Sequence, residues 1–406
     1  MSGIRSVLAP AFAAAAMLSC GAPSGAAEYS KGANDREIRI GHTVPYSGPA
    51  SAYGAVGLLT AAYYEMINAR GGVNGRKIRF ISLDDAYNPA KTVEQTRKLV
   101  EQDDVFAMIG QVGTVTSSAV QKYLNSRKIP QLLIASGASK WNDPKNYPYS
   151  TALYALYEME GRVFAQYLLK HNPGARVSIL IQNDDAGRDY AKGFKDGLGA
   201  AAAKMVVREL SYETSDTTID SQIVALKASG ADTLFMMATP KFGAQAIRKI
   251  AETGWKPAVY LAAVTASIGT VLQPAGPENA KGFMSAFAFK RADDPLWANT
   301  PDVIAYKKFF ADWYKSGNIS ECSNVIAYAT AYLTVRLLER CGDNLTRENL
   351  LKQATTLSDV ELPLLLPGIK VNTSPDDYSP IRQMQIGRFN GASWVMEGEL
   401  ISADMR

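Results

Sequence analysis

Residues Ile67 to Pro89 read INARGGVNGRKIRFISLDDAYNP, which places a helix end, a tight turn, a strand and the mouth of a second helix in one short unit. Gly71 and Gly72 supply the permissive backbone on which helices end, and Asn74-Gly75 is a strong turn dipeptide ahead of apolar Ile78, Phe80 and Ile81. Asp84 and Asp85 close the strand and Pro89 opens the next helix. With Asn88, these carboxylates are expected to cap orphan amides.

The same alternation runs outward from this unit. Strand-like runs at Ile38–Val44, Ile78–Leu83, Val105–Ile109 and Gln131–Ile134 alternate with helical patterns at Tyr53–Ala69, Ala90–Glu101 and Ser117–Ser126. After a stretch rich in Pro and Tyr near Lys145–Tyr154, the rhythm restarts with strands at Val177–Ile181, Met205–Leu210, Thr233–Met237 and Ala258–Leu261. Phe283–Phe289, three helical segments between Asp302 and Thr355, and a β-rich tail near Met384–Met396 follow. The pattern predicts an α/β protein of two doubly wound parallel-sheet lobes joined by a multi-crossing hinge, with hinge points near Tyr154 and Phe289. Lobe 1 is expected over residues 36–153 plus 290–380, and lobe 2 over 154–289 plus 381–406.

With 406 residues, 47% of them hydrophobic and 20% charged, the chain can bury more than one core. Residues 1–27 read as a signal peptide: one charge at Arg5, an apolar run from Val7 to Leu18, then Gly25, Ala26 and Ala27. That run is too short for a permanent span, so no transmembrane segment is expected in the mature chain, and periplasmic export is. Met17-Leu18-Ser19-Cys20 loosely resembles a lipobox, but Leu18 is unusual there, which favours cleavage after Ala27 over lipidation of Cys20. Net charge is +4 with dispersed basic residues, which supports no nucleic-acid partner. Cys322 and Cys341 bracket SNVIAYATAYLTVRLLER, one continuous helical pattern. At ~1.5 Å per residue that helix separates the thiols by roughly 28 Å, so both are expected to be free. His42 and His171 are far apart in sequence, and no cluster has metal-ligand spacing, so neither a metal nor a cofactor is expected.

No dinucleotide, phosphate-loop or nucleophile-elbow motif is present, which removes the usual support for an α/β enzyme, and no catalytic residue is assigned. Ligands of open α/β sheets bind beyond the carboxyl ends of the strands. There the chain offers small and hydroxylated residues: Gly113 and Thr114 after the third strand, and Ser136, Gly137, Ala138 and Ser139 after the fourth. Hydroxyls beside exposed helix amides suit a carboxylate. Thr114 and Ser139 can equally cap their own helices, and Asp184, in the turn Asn183–Gly187, is more readily a cap than a ligand contact.

Five separated strings, IRIGHTVPYSGPASAYGAVG, the Ile67–Pro89 unit, IGQVGTVTSS, IASGASKWNDP and LIQNDDAGRDYAKGFKDGL, resemble the successive signatures of type I periplasmic binding proteins of the leucine/isoleucine/valine-binding class. The resemblance spans nearly all of the mature chain. It implies a monomer that captures a solute between its lobes and delivers it to ABC transporter permease subunits. It also implies ligand contacts at Tyr53, Thr114, Gly137, Ala138 and Ser139. The second lobe departs from the family pattern, because Ala186 replaces the tyrosine of the D-x-Y-G turn and the acid that clasps an α-ammonium falls near Val264, Thr265 and Ala266. An unpaired buried cation is costly, so a free amino acid suits this pocket only if another acid, such as Asp184, meets its ammonium. Thr239, Phe242, Val264, Tyr154, Tyr157 and Phe289 would then face the carboxylate grip with apolar and aromatic surface. IASGASKWNDPKNYP also resembles the branch of the family that binds aromatic acids of benzoate or cinnamate type. The same fold also serves as a ligand-sensing receptor module.

Overall fold

The structure is a computed structural model that describes residues 27–403. The leader, with Cys20, lies outside these residues except for Ala27. The first unit runs β1 (Glu28–Tyr29), β2 (Glu37–Val44), α1 (Gly54–Ala69), β3 (Lys77–Asp84), α2 (Pro89–Glu101), β4 (Ala107–Ile109), α3 (Thr114–Ser126), β5 (Gln131–Ile134) and β6 (Ser150–Ala152). Five of these strands form an all-parallel sheet in the order β3-β2-β4-β5-β6. β4 and β5 are buried along their whole length, as strands covered by helices on both faces must be.

The Asn74-Gly75 turn forms as its chemistry dictates. Both residues take positive φ, 50° and 83°, and Val73 bridges Arg76 at the head of β3. Asn88 caps α2 by accepting the Lys91 amide at 3.1 Å. Asp84 serves the loop instead, taking the amides of Tyr46, Ser47 and Ala86 and the Lys91 ammonium at 2.7 Å.

The second unit runs α4 (Tyr157–His171), β7 (Val177–Gln182), α5 (Asp185–Leu198), α6 (Ala202–Met205), β8 (Val206–Tyr212), α7 (Asp220–Ala228), β9 (Thr233–Met236), α8 (Pro240–Glu252), β10 (Ala258–Leu261), α9 (Gln273–Ala275) and β11 (Met284–Phe287). The chain then passes through α10 (Pro301–Trp313), α11 (Cys322–Cys341), β12 (Asn344–Leu345) and α12 (Arg347–Ala354) before β13 (Gln383–Phe389) and β14 (Trp394–Ser402). The second sheet has seven strands in the order β14-β13-β11-β10-β9-β7-β8, parallel from β8 to β11 and antiparallel at β13 and β14.

The helices after β11 return to the first sheet. β12 pairs in parallel with β1, and Tyr328 of α11 meets Tyr63 of α1 edge-on at 5.1 Å. The chain therefore crosses between the two lobes after β6, after β11 and before β13. Cys322 and Cys341 stand at opposite ends of α11 as free thiols, because one unbroken helix holds them apart. Among the described residues no helix is long and apolar enough to cross a membrane.

Candidate functional site

Loops beyond the carboxyl ends of both sheets meet in one cleft, which holds two adjoining cavities of about 90 Å³ and about 40 Å³. Tyr53, Tyr154, Val264 and Ser323 line both, so the cavities are compartments of a single site. At ~10–15 Å³ per water the site holds roughly ten waters, the space of one small solute.

The smaller compartment is walled by Gly113 and Thr114 from one lobe and by Ala186, Met237 and Thr239 from the other. Gly113 has φ 101° and lies under the Tyr87 ring, which a Cβ would approach to 2.5 Å. Thr114 Oγ1 sits 2.7 Å from Ser136 Oγ, and Ser136 Oγ accepts the Trp141 indole N–H at 2.9 Å. When Ser136 passes its own proton on to Thr114, the Thr114 hydroxyl hydrogen is left for an acceptor in the cleft. Burial lifts the phenols of Tyr53, Tyr87 and Tyr154 well above their ordinary range, so each stays a neutral donor.

The larger compartment is lined by Phe287, Phe289, Arg291, Cys322 and Glu160, among others. Glu160 accepts the Ala263 amide at 2.6 Å and the Tyr190 hydroxyl at 2.8 Å. Burial pushes its carboxyl up to about 8. The Arg291 guanidinium is also buried. It donates from Nη2 to the Ser320 carbonyl at 3.2 Å, and its Nε lies 3.3 Å from Asp293 without forming a hydrogen bond. Among the described residues no group of three or more His, Cys, Asp or Glu side chains could hold a metal ion.

Two lobes, three crossings and an interlobe cleft describe a solute-capturing machine, and similarity to known proteins is of the same kind. The family model described as periplasmic binding protein matches residues 37–393. The chain belongs to the periplasmic binding protein family. It is 25% identical over 326 residues to the Leu/Ile/Val-binding protein homolog 7 of Brucella suis biovar 1 (strain 1330), covering 76% of this chain and 77% of that one. Among solved structures it resembles a branched-chain amino acid ABC transporter protein from Thermus thermophilus with bound valine (TM-score 0.79, 17% identity, 91% of this chain and 97% of that one). It also resembles an ABC transporter solute-binding protein from R. palustris in complex with 4-hydroxybenzoate (TM-score 0.76, 18% identity, 90% and 97%). The protein is thus a binding protein of this family and not an enzyme.

In this periplasmic binding protein the expected site residues divide into two groups. Tyr53, Gly113, Thr114, Tyr154, Ala186, Thr239, Val264 and Phe289 line the cleft. Ser136 stands behind Thr114 as its partner, and Gly137 and Ala138 are buried outside both compartments. A Cβ on Gly137 would come within 2.2 Å of the Ala155 carbonyl, so this glycine lets the lobe-to-lobe crossing pass close by. Phe242 is fully buried against Tyr212, with ring centroids 4.5 Å apart, and belongs to the core of the second lobe. Asp184 caps α5 by accepting the Gly187 amide at 2.9 Å and does not line the cleft.

Ser139 is committed elsewhere. Its amide and hydroxyl donate to Asp189 of α5 at 2.6 and 3.1 Å, which clasps one lobe to the other. A second clasp lies across the cleft, where the Ser267 and Thr270 hydroxyls donate to Glu321 at 2.8 and 2.7 Å. Glu160, Arg291, Tyr87 and Met237 were not among the expected site residues. Glu160 lies on α4 and Arg291 in the loop after β11, and the fold turns both toward the cleft.

Proposed function

We propose that this protein, exported to the periplasm through a cleaved leader, captures a small carboxylate and passes it as a monomer to the permease subunits of an ABC transporter. The ligand is an aromatic acid of benzoate or cinnamate type. One observation carries the ligand class: Tyr53 and Tyr154 line the space next to the Thr114 hydroxyl, and Phe287 and Phe289 line the compartment that adjoins it. An aromatic ring gains about 0.5–1.5 kcal/mol per ring contact beyond its buried area, and Thr114 supplies a donor for the carboxylate. The related fold from R. palustris that holds 4-hydroxybenzoate supports the class. The lobes divide at residues 36–153 plus 290–380 and 154–289 plus 381–406, so that closure rotates them about the crossings near Tyr154 and Phe289.

A second reading, an amino acid ligand, is favoured by the Brucella relative's name and by the position of Glu160, whose carboxyl touches the loop that carries the clasping acid elsewhere in the family. Thermal shift separates the two. Benzoate and coumarate should each raise the melting temperature in proportion to the logarithm of their excess over Kd, while leucine leaves it unchanged. Stabilisation by leucine alone would replace the aromatic acid with an amino acid.

A further inference from the structure

Building on the aromatic-acid reading, we propose that the ligand carries a hydroxyl at the end opposite its carboxylate, and that Glu160 and Arg291 are the residues that read it. Thr114 lines only the smaller compartment, Glu160 and Arg291 only the larger, and Tyr53, Tyr154 and Val264 both. A ligand whose carboxylate meets Thr114 and whose ring lies between the tyrosines therefore points its far end at the acid and the guanidinium.

Both groups have hydrogen-bonding capacity left over. Glu160 receives one donor on each oxygen, and as a protonated carboxyl it still has an O–H to donate and lone-pair capacity to accept. Among the described residues no Lys, Arg or His pairs with it. Arg291 is 3% exposed, yet its Nε has no hydrogen-bond partner, and neither do the oxygens of Asp293 beside it. Burying such groups against carbon would leave them unsatisfied, which is the arrangement by which a site rejects an analogue that lacks the polar group.

Charge selects among the polar groups that fit. Arg291 and Lys290, which both line this compartment, already have Asp293 and Asp302 as counter-charges, and Glu160 is held neutral, so a second carboxylate or an ammonium would bring an uncompensated charge. A hydroxyl donates to the acid and accepts from the guanidinium without adding charge. Burial pushes the Glu160 carboxyl up to about 8, so it keeps its proton near neutral pH, and a neutral ligand end suits that form.

Titration calorimetry on the full mature chain with benzoate, 4-hydroxybenzoate and 4-methoxybenzoate tests the proposal. The hydroxy acid should bind about tenfold or more tighter than either of the others, since the methoxy group cannot donate. Glu160→Gln and Arg291→Met should each bring that preference, taken as the ratio of the two affinities in the same protein, below about threefold. The wild-type comparison stands even if a variant fails to fold. Equal binding of all three acids by the wild type, or an undiminished preference in a folded Glu160→Gln protein, overturns the hydroxyl assignment and leaves the aromatic-acid function intact. Binding of none of the three overturns both.

Discussion

Replacing Asp189 with alanine should loosen closure of the cleft without touching the ligand. Asp189 lies on α5 and accepts two hydrogen bonds from Ser139 in the opposite lobe, at 2.6 Å from the amide and 3.1 Å from the hydroxyl. Hydrogen bonds to a charged acceptor contribute about 1.5–3 kcal/mol each when buried. Asp189 is only half-buried and both partners regain water when the lobes part, so about 1–2 kcal/mol is the appropriate figure for the pair. The neighbouring Lys140–Asp185 contact, 3.2 Å between two partly exposed side chains, adds at most a few tenths of a kcal/mol. A loss of 1–2 kcal/mol shifts the closed-to-open ratio by about 5- to 30-fold. When the closed form is a minority in the free protein, the apparent Kd rises by the same factor. Calorimetry reads this rise in Kd, and where the closed form is instead the majority, small-angle X-ray scattering reads the change as an increase in the radius of gyration of the free protein. Asp189→Asn keeps one acceptor oxygen and should fall between the two. An Asp189→Ala protein with an unchanged Kd and an unchanged scattering curve would refute the clasp as a determinant of closure.

Two further outcomes follow from buried groups near the site. His42 is fully buried between Ser82 Oγ (2.8 Å) and the Gly110 carbonyl (3.0 Å), and burial lowers it to about 4. Its unfolded value is about 6.5, so stability is complete above that pH and is lost as pH falls toward 4, by roughly 3 kcal/mol; His42→Gln should flatten the difference between urea melts at pH 7 and pH 4.5, and an unaltered difference would show that His42 does not titrate this way. Gly137→Ala should lower the urea midpoint by the equivalent of at least about 2 kcal/mol, because the new Cβ meets the Ala155 carbonyl, a backbone atom that cannot swing aside; a midpoint within experimental error of wild type would show that the crossing can shift to accommodate it.

The strand and helix order was legible because parallel sheets covered on both faces write themselves as short apolar runs between amphipathic helices, and most run ends fell within a residue or two of the observed elements. β1, β12 and β6 were not. The first two are pairs of residues joined across more than 300 positions, and β6 is the polar run Ser-Thr-Ala in a stretch whose prolines and tyrosines read as a break. The site was legible where its residues follow strands directly, as Tyr53, Thr114, Ala186, Thr239 and Val264 do. It failed where function depends on which hydroxyl already has a partner. Sequence gives Ser139 and Thr114 the same chemical promise, yet Asp189 consumes one and Ser136 only relays to the other. The same limit hid the acid. A vacancy in the loop at 263–266 reads as loss of a negative group, but Glu160 on α4 reaches that loop from a position about 100 residues earlier and donates nothing to the local pattern. A pocket's charge is therefore a property of the fold and not of the motif, and an acid missing from one strand end is no measure of the acids facing the ligand.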